Sequence, residues 1–328
     1  CYGRIVALCS LRFLRKSTKK EKAMKRIPVI LDTDIGDDID DTWALALLLK
    51  SPELDVKLVS TATGDTAYRA KIVARLLETA GRSCVPIGVG VPGAGRESVP
   101  RQAEWVKDYP LDRYPGAVHA GGVRAIIETI MASPEPVTLI CIGPLSNIAE
   151  ALRLEPRIAG RTRFVGMQGS VNWGITSNLF LSLVPGARAE WNVVCDVAAA
   201  RDVFAAPWLE AAITPLDTCA RVVLDGARYR LLLNSNDPLL KAVLENYRLW
   251  AQTHGGRCNA GSQSSVLFDC VAIHLARTTA WLKMRRMGMR VDAEGFTRED
   301  DAARPFNVAL EWDDYEAYAD DLVSRLGG

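Results

Sequence analysis

The sequence predicts an α/β fold with a mostly parallel central sheet, helices on both of its faces and a site at the carboxyl ends of the strands. Three observations predict it. Strand-like apolar runs alternate with helical patterns along most of the chain. Those runs are nearly continuous in apolar residues, as strands covered on both faces are. Polar motifs stand directly behind several of them, where open parallel sheets collect their ligands.

Taken in order, "IPVILDTD" leads into the helical pattern "TWALALLLKS", and "DVKLVSTATGD" leads into "AYRAKIVARLLETAG". "VPIGVG" reads as a short strand. "GGVRAIIETIMAS" reads as a helix running into the strand "VTLICIG", and "LSNIAEALRLEPRIAG" as a helix running into "RTRFVGMQG". Repeated strand–helix units of this kind build parallel sheets. Beyond residue 205 helical patterns dominate, among them "DPLLKAVLENYRLWAQ" and "SVLFDCVAIHLART". Two short strands, "MRVDAEG" and "FNVALEW", precede a terminal helix, "DYEAYADDLVSRLG". Since no repeat, low-complexity linker or Pro-rich hinge follows Met24, residues 26–328 are expected to form a single domain.

The chain has 328 residues, 48% hydrophobic and 24% charged, which is enough apolar material for a real core. Its formal charge is +1, but the first 26 residues hold nine Lys and Arg against Glu21, so the remainder stands near −7. A body of that sign offers no basic footprint for nucleic acid. Residues 1–25 read as a basic, disordered extension, with Met24 a candidate start; a cleaved signal or a basic membrane-surface helix are the alternatives. Its apolar stretches are broken by Arg12 and too short to span a bilayer, so no membrane association is expected. Eight cysteines are scattered without a CxxC pair and read as free thiols in a reducing, cytoplasmic compartment.

The stretch "LDTDIGDDIDD" gathers six aspartates, Asp32, Asp34, Asp37, Asp38, Asp40 and Asp41, behind the first strand. Carboxylates this close repel one another and persist only in water or around something cationic. A helix N-terminus tolerates two or three acids. It does not account for Asp32 and Asp34 at a strand end. A phosphatase of the strand–DxD type, with Asp32 as phosphoryl acceptor, is one reading, although Gly36 departs from that pattern. An EF-hand fails, because neither its sixth-position Gly nor its twelfth-position Glu fits. The remaining reading is a metal site holding a diol, with hard oxygen ligands suited to Ca²⁺.

On these residues the chain resembles the inosine-uridine preferring nucleoside hydrolases, whose signature after the first strand is DxDxGxDD. Further family segments recur in order: "GPLSN", "AEWNVVCDVAAA", "PLDT" and "LFDCVAI", so that the likeness runs from about Lys25 to the C-terminus. The resemblance implies an open Rossmann-like core and cleavage of a ribonucleoside into free base and ribose. It implies a Ca²⁺ ion held by Asp34, Asp38, Asp41, Asp269 and the carbonyl of Ile142. Asp40 is expected at the ribose hydroxyls, with Asp32 or Asp38 in support, and Asp34 as general base; the alternative alignment exchanges Asp38 and Asp40 between the metal and the sugar. Glu190, Asn192, Met167 and Asp65 would complete the sugar pocket. A homodimer or homotetramer is the usual assembly.

The base must also be helped to leave. Many family members place a His before the distal Asp, where this chain has Phe268. Of His119, His254 and His274, His119 in "GAVHAGGV" best resembles a loop His of pyrimidine-cleaving members, and it is the expected proton donor. Tyr247 and Trp250 in "ENYRLW" offer aromatic stacking on the base instead. A Ca²⁺-dependent nucleoside binder without turnover is the competing class, motivated by Phe268 and by Asp65 in a place where the family usually has Asn.

Overall fold

Ile27–Thr33 form β1, a strand whose last five residues are buried. Val29 and Leu31 enter one apolar layer and Ile30 the other, so this strand is covered on both faces as its composition requires. The computed structural model describes residues 25–93 and 99–328, and the extension expected at 1–25 lies, apart from Lys25, outside the described residues.

The strands that follow are β2 (Leu54–Thr61), β3 (Ile87–Val89), β4 (Val118–His119), β5 (Val137–Cys141) and β6 (Thr162–Gly166). Then come β7 (Trp173–Ile175), β8 (Leu183–Pro185), β9 (Glu210–Ile213), β10 (Leu282–Val291), β11 (Thr297–Glu299) and β12 (Pro305–Trp312). Among the described residues ten of them form one sheet in the order β11-β10-β12-β9-β6-β5-β1-β2-β3-β4. From β12 to β4 every pairing is parallel, and β10 and β11 join antiparallel at one edge. β7 and β8 make a separate antiparallel hairpin.

The order of strands locates the crevice. From β1 the chain adds β2, β3 and β4 on one side, then returns to add β5, β6 and β9 on the other. Loops behind β1 and β5 therefore diverge at the switch point, the place where open α/β sheets bind ligands.

Helices cover both faces, and their starts follow capping chemistry. Asp65 accepts from the Tyr68 amide (2.8 Å) ahead of the helix Thr66–Thr79. Asp237 accepts from the Leu240 amide (2.8 Å), with Pro238 in the first position of the helix Pro238–Gln252. The C-terminal helix, Tyr315–Gly327, is tied back by Arg325 to Glu53 (2.8 Å), while Arg277 pairs with Asp321 (2.7 Å).

Two elements differ from expectation. The helix read in "SVLFDCVAIHLART" begins only at Cys270, because Ser264 and Leu267 give their amides sideways to Leu224 and Val222 (both 2.8 Å). Asp269 thus stands at the helix entrance and not inside it. "GAVHAGGV", read as a loop, supplies β4, which pairs with β3 through Val118 and His119. Among the described residues no helix is long and apolar enough to cross a membrane.

Phe204 is buried in the layer that contains Ile30 and stacks on Phe306 at 4.8 Å between centroids. Phe204→Ala is expected to lower stability by about 3–5 kcal/mol, from lost transfer energy and the cavity left behind, as read from the midpoint of denaturant unfolding.

Candidate active site and metal centre

The aspartate turn is shaped by one glycine and one threonine. Gly36 has φ +116°, and a Cβ there would meet the Tyr68 ring at 2.8 Å. Tyr68 also donates its hydroxyl to the Gly36 carbonyl (3.0 Å). Thr33 donates to the Asp41 carboxylate while its oxygen accepts from the Ile35 amide (3.1 Å). Asp40 and Asp41 open the helix Asp40–Leu49, the end of the dipole that favours negative charge.

Ligand oxygens of Asp40, Asp41 and Asp269 lie within 4.8 Å of one another, and all three side chains are buried. The helix Cys270–Arg277 packs against the helix Asp40–Leu49, which brings Asp269 to the turn. Burial first, then the neighbouring carboxylates, holds all three well above the usual carboxylate range.

Asp34 lies beside this trio. Burial raises its pKa to about 6, against the pull of the Arg69 guanidinium. Gly143 stands so close that an added Cβ would come within 2.7 Å of Asp34 Oδ1. Asp32, directly behind, accepts from Asn147 (2.8 Å) and from Ser60, and burial raises it to about 7.

Asp34, Asp40, Asp41 and Asp269 floor a cleft of about 620 Å³. The Ile142 carbonyl, Met167, Glu190 and Asn192 belong to its lining, as do Trp250 and Phe268. Glu190 also caps the short helix Trp191–Cys195, accepting from Asn192 N (2.8 Å) and Gly169 N (3.0 Å); burial raises it to about 7. Asn192 gives its amide protons to the carbonyls of Met167 (3.1 Å) and Ile142 (3.2 Å). The β7–β8 hairpin overhangs the cleft, and Asn178 reaches from it to Asp38 (2.7 Å).

Four expected site residues sit differently. Asp38, expected among the metal ligands, lines the cleft but turns its carboxylate to Asn178 and the Ile39 amide (2.8 Å), and it is Asp40 that joins Asp41 and Asp269. Asp65 is exposed and occupied as a helix cap, outside the cleft lining. Tyr247 is buried between Trp43 and Trp250, at 6.1 and 5.9 Å, with Trp250 alone reaching the cleft. His119 is exposed on the edge strand β4 and is not among the cleft residues.

Several residues in or behind the cleft escape a reading of the sequence. His254 lines it, and Arg101 beside it pairs with Asp37 (3.4 Å). Arg69, 1% exposed, donates to the carbonyls of Thr63 (2.6 Å) and Ile35 (2.8 Å) behind the turn. Gln102 braces the turn from the other side, accepting from Thr42 (3.1 Å) and donating to the Asp38 carbonyl (3.3 Å). The one sequence signal for Arg69 is its position as a lone cation facing the apolar side of an amphipathic helix.

An all-oxygen donor set of this kind, drawn from two distant segments and crowded with like charge, fits a hard divalent cation. The other acids and the half-open cleft leave room for a hydroxylated ligand above it.

Comparisons with known proteins agree with this architecture. The family model described as inosine-uridine preferring nucleoside hydrolase matches residues 29–317. The non-specific ribonucleoside hydrolase RihC of Klebsiella pneumoniae is 32% identical over 251 residues, covering 71% of this chain and 76% of that protein. RihC of Escherichia coli is likewise 32% identical, over 245 residues. In fold, the chain resembles the plant nucleoside hydrolase PpNRh1 (TM-score 0.73, 24% identity, 92% of this chain and 99% of that one). It also resembles the inosine-uridine preferring nucleoside hydrolase of Bacillus anthracis (TM-score 0.71, 20% identity, 92% and 99%).

Raised carboxyl pKa values mean that the folded protein holds protons the unfolded chain has released. The contribution of these groups to the stability of the metal-free protein is therefore fully present below the unfolded pKa near 4 and is lost as pH rises through the folded values of about 6 for Asp34 and about 7 for Asp32 and Glu190. Thermal melts after chelation are expected to show Tm declining from pH 5 to pH 7.5. Added Ca²⁺ is expected to raise Tm more at pH 7.5 than at pH 5.

Proposed function

The chain belongs to the inosine-uridine preferring nucleoside hydrolase family, whose members are N-ribohydrolases, and from that membership we propose that it hydrolyses the N-glycosidic bond of ribonucleosides with a Ca²⁺ ion held in the aspartate cleft. The observation that carries this reading is the meeting of Asp40 and Asp41 with the far-downstream Asp269 beside Asp34.

Asp34, Asp40, Asp41, Asp269 and the Ile142 carbonyl would hold the ion. When bound, Ca²⁺ supplies Lewis acidity toward a water and toward a vicinal diol. Asp34 accepts the proton of the attacking water, and Asp40 hydrogen-bonds the ribose hydroxyls. Glu190, Asn192 and Met167 wall the sugar. In the reaction the water oxygen bonds to C1′, the C1′–N bond breaks, and the base departs with its electron pair. The transition state is oxocarbenium-like, so the carboxylates beneath the ring stabilise the positive charge that develops there. Crowded acids that are costly in the resting protein become favourable partners at that moment.

Incubation with inosine, uridine, adenosine and cytidine is expected to release free base and reducing sugar, with turnover lost on chelation and restored by Ca²⁺. Asp34→Asn should cut kcat by roughly 10²–10⁴-fold, the usual worth of a general base, with the circular dichroism spectrum unchanged. Tight nucleoside binding without turnover by the wild type would instead favour a binding protein, and near-normal activity of Asp34→Asn would remove it as the base.

A further inference from the structure

The third wall of the cleft carries a histidine whose tautomer its neighbours dictate. His254 follows the helix Pro238–Gln252 and is 6% exposed. Its Nδ1 lies 2.9 Å from the Trp250 carbonyl oxygen, which can only accept, so Nδ1 carries the proton. The other neighbour of Nδ1, the Thr253 hydroxyl at 3.2 Å, gives its own proton to the same carbonyl (2.7 Å) and faces Nδ1 as an acceptor too. Nε2, across the ring, has no hydrogen-bond partner among the described residues and is not walled off from the cleft. The imidazole leans on the Trp250 indole at 4.2 Å between centroids.

The charge state follows from the surroundings. Burial lowers the pKa of His254 below its ordinary value; the hydrogen bond to the Trp250 carbonyl and the Asp37 carboxylate pull the other way, and the Arg101 and Arg257 guanidiniums add to the effect of burial. A neutral ring with Nδ1 protonated presents a bare acceptor at Nε2. Such a nitrogen has no proton to hand to a departing base, but it can receive a hydrogen bond from one.

Resting on the ribohydrolase reading above, we propose that His254 is a specificity residue whose Nε2 accepts a hydrogen bond from an N–H on the outer edge of the nucleobase. The ring N–H of a lactam base, as in hypoxanthine, guanine or uracil, has the required chemistry. With the sugar held over the aspartates, a base at the part of the cleft lined by Trp250 and His254 can turn an edge N–H to this nitrogen. Arg101, hydrogen-bonded to Thr253 (3.3 Å), places a donor in the same wall for an adjoining base carbonyl.

The test compares kcat/KM for inosine with 1-methylinosine and for uridine with 3-methyluridine, in which the methyl group removes the edge donor and adds bulk in its place. The wild type should prefer the unmethylated member of at least one pair by about tenfold or more, the worth of one well-made hydrogen bond. His254→Ala and the bulkier His254→Leu, neither of which accepts, should both bring that ratio close to one, and His254→Gln, whose amide oxygen still accepts, should retain most of it; a ratio kept by His254→Leu would mean a steric wall and overturn the assignment. A merely structural role would slow both members of a pair together. A wild type that does not discriminate, or a ratio unchanged in His254→Ala, overturns the assignment. Turnover of 4-nitrophenyl β-D-ribofuranoside, whose leaving group has no N–H, separates the two readings. If neither it nor any nucleoside is cleaved, the ribohydrolase reading falls and this one with it; if it is cleaved and the methylated pairs are treated alike, only the role of His254 falls.

Discussion

Mutual repulsion among buried carboxylates is the constraint on which the rest of this structure depends. Two like charges about 4 Å apart cost roughly 4 kcal/mol even at an effective dielectric near 20, and the oxygens of Asp40, Asp41 and Asp269 meet within 4.8 Å. Arg69 is a buried cation set against this charge, and its pull is felt by Asp34 and Asp41. Among the described residues its Nη2 has no hydrogen-bond partner. Arg69, with Arg101 paired to Asp37 at the rim, is outnumbered by the acids, and the imbalance must be met by retained protons or an added cation.

The fold supplies the rigidity that such an arrangement demands. Asp32 and Thr33 still belong to β1, held between β2 and β5, and Ile142 N continues the ladder by bonding to the Asp32 carbonyl (2.9 Å). Position 143 must be glycine-sized for Asp34 to stand where it does. Gln102 and Tyr68 then fix the turn from the side with hydrogen bonds to its main-chain carbonyls, which remain whether or not the acids are charged, while Thr33 holds the Asp41 carboxylate directly. The groups that repel are thus fastened through neighbours that do not.

Much of this was legible in the residues before any coordinates. Period and composition carried the strand–helix alternation, because buried parallel strands leave an apolar run that needs no partner to be recognised. Asp269 stood out as a lone acid in an apolar stretch. What was illegible depended on contacts between distant segments. Choosing among His119, His254 and His274 required knowing that β4 lies at the sheet edge, that Trp250 carries His254 to the cleft, and that His274 stacks on Trp281 (5.5 Å) far from it. Tyr247 and Trp250 are three residues apart on one helix, yet packing against Trp43 withdraws the first and leaves the second. Asp38 and Asp40 differ by the sense of a single irregular turn around the buried Ile39, and no periodicity describes such a turn.

The indole Nε1 of Trp250 bonds to the main-chain carbonyl of Asp37 (3.0 Å), not to its side chain. A contact made to the backbone is indifferent to which amino acid occupies position 37, so drift there would leave the two walls of the cleft joined. The burden of preservation falls on one partner only: replacing the indole would unfasten the long helix from the first loop, whatever that loop had become.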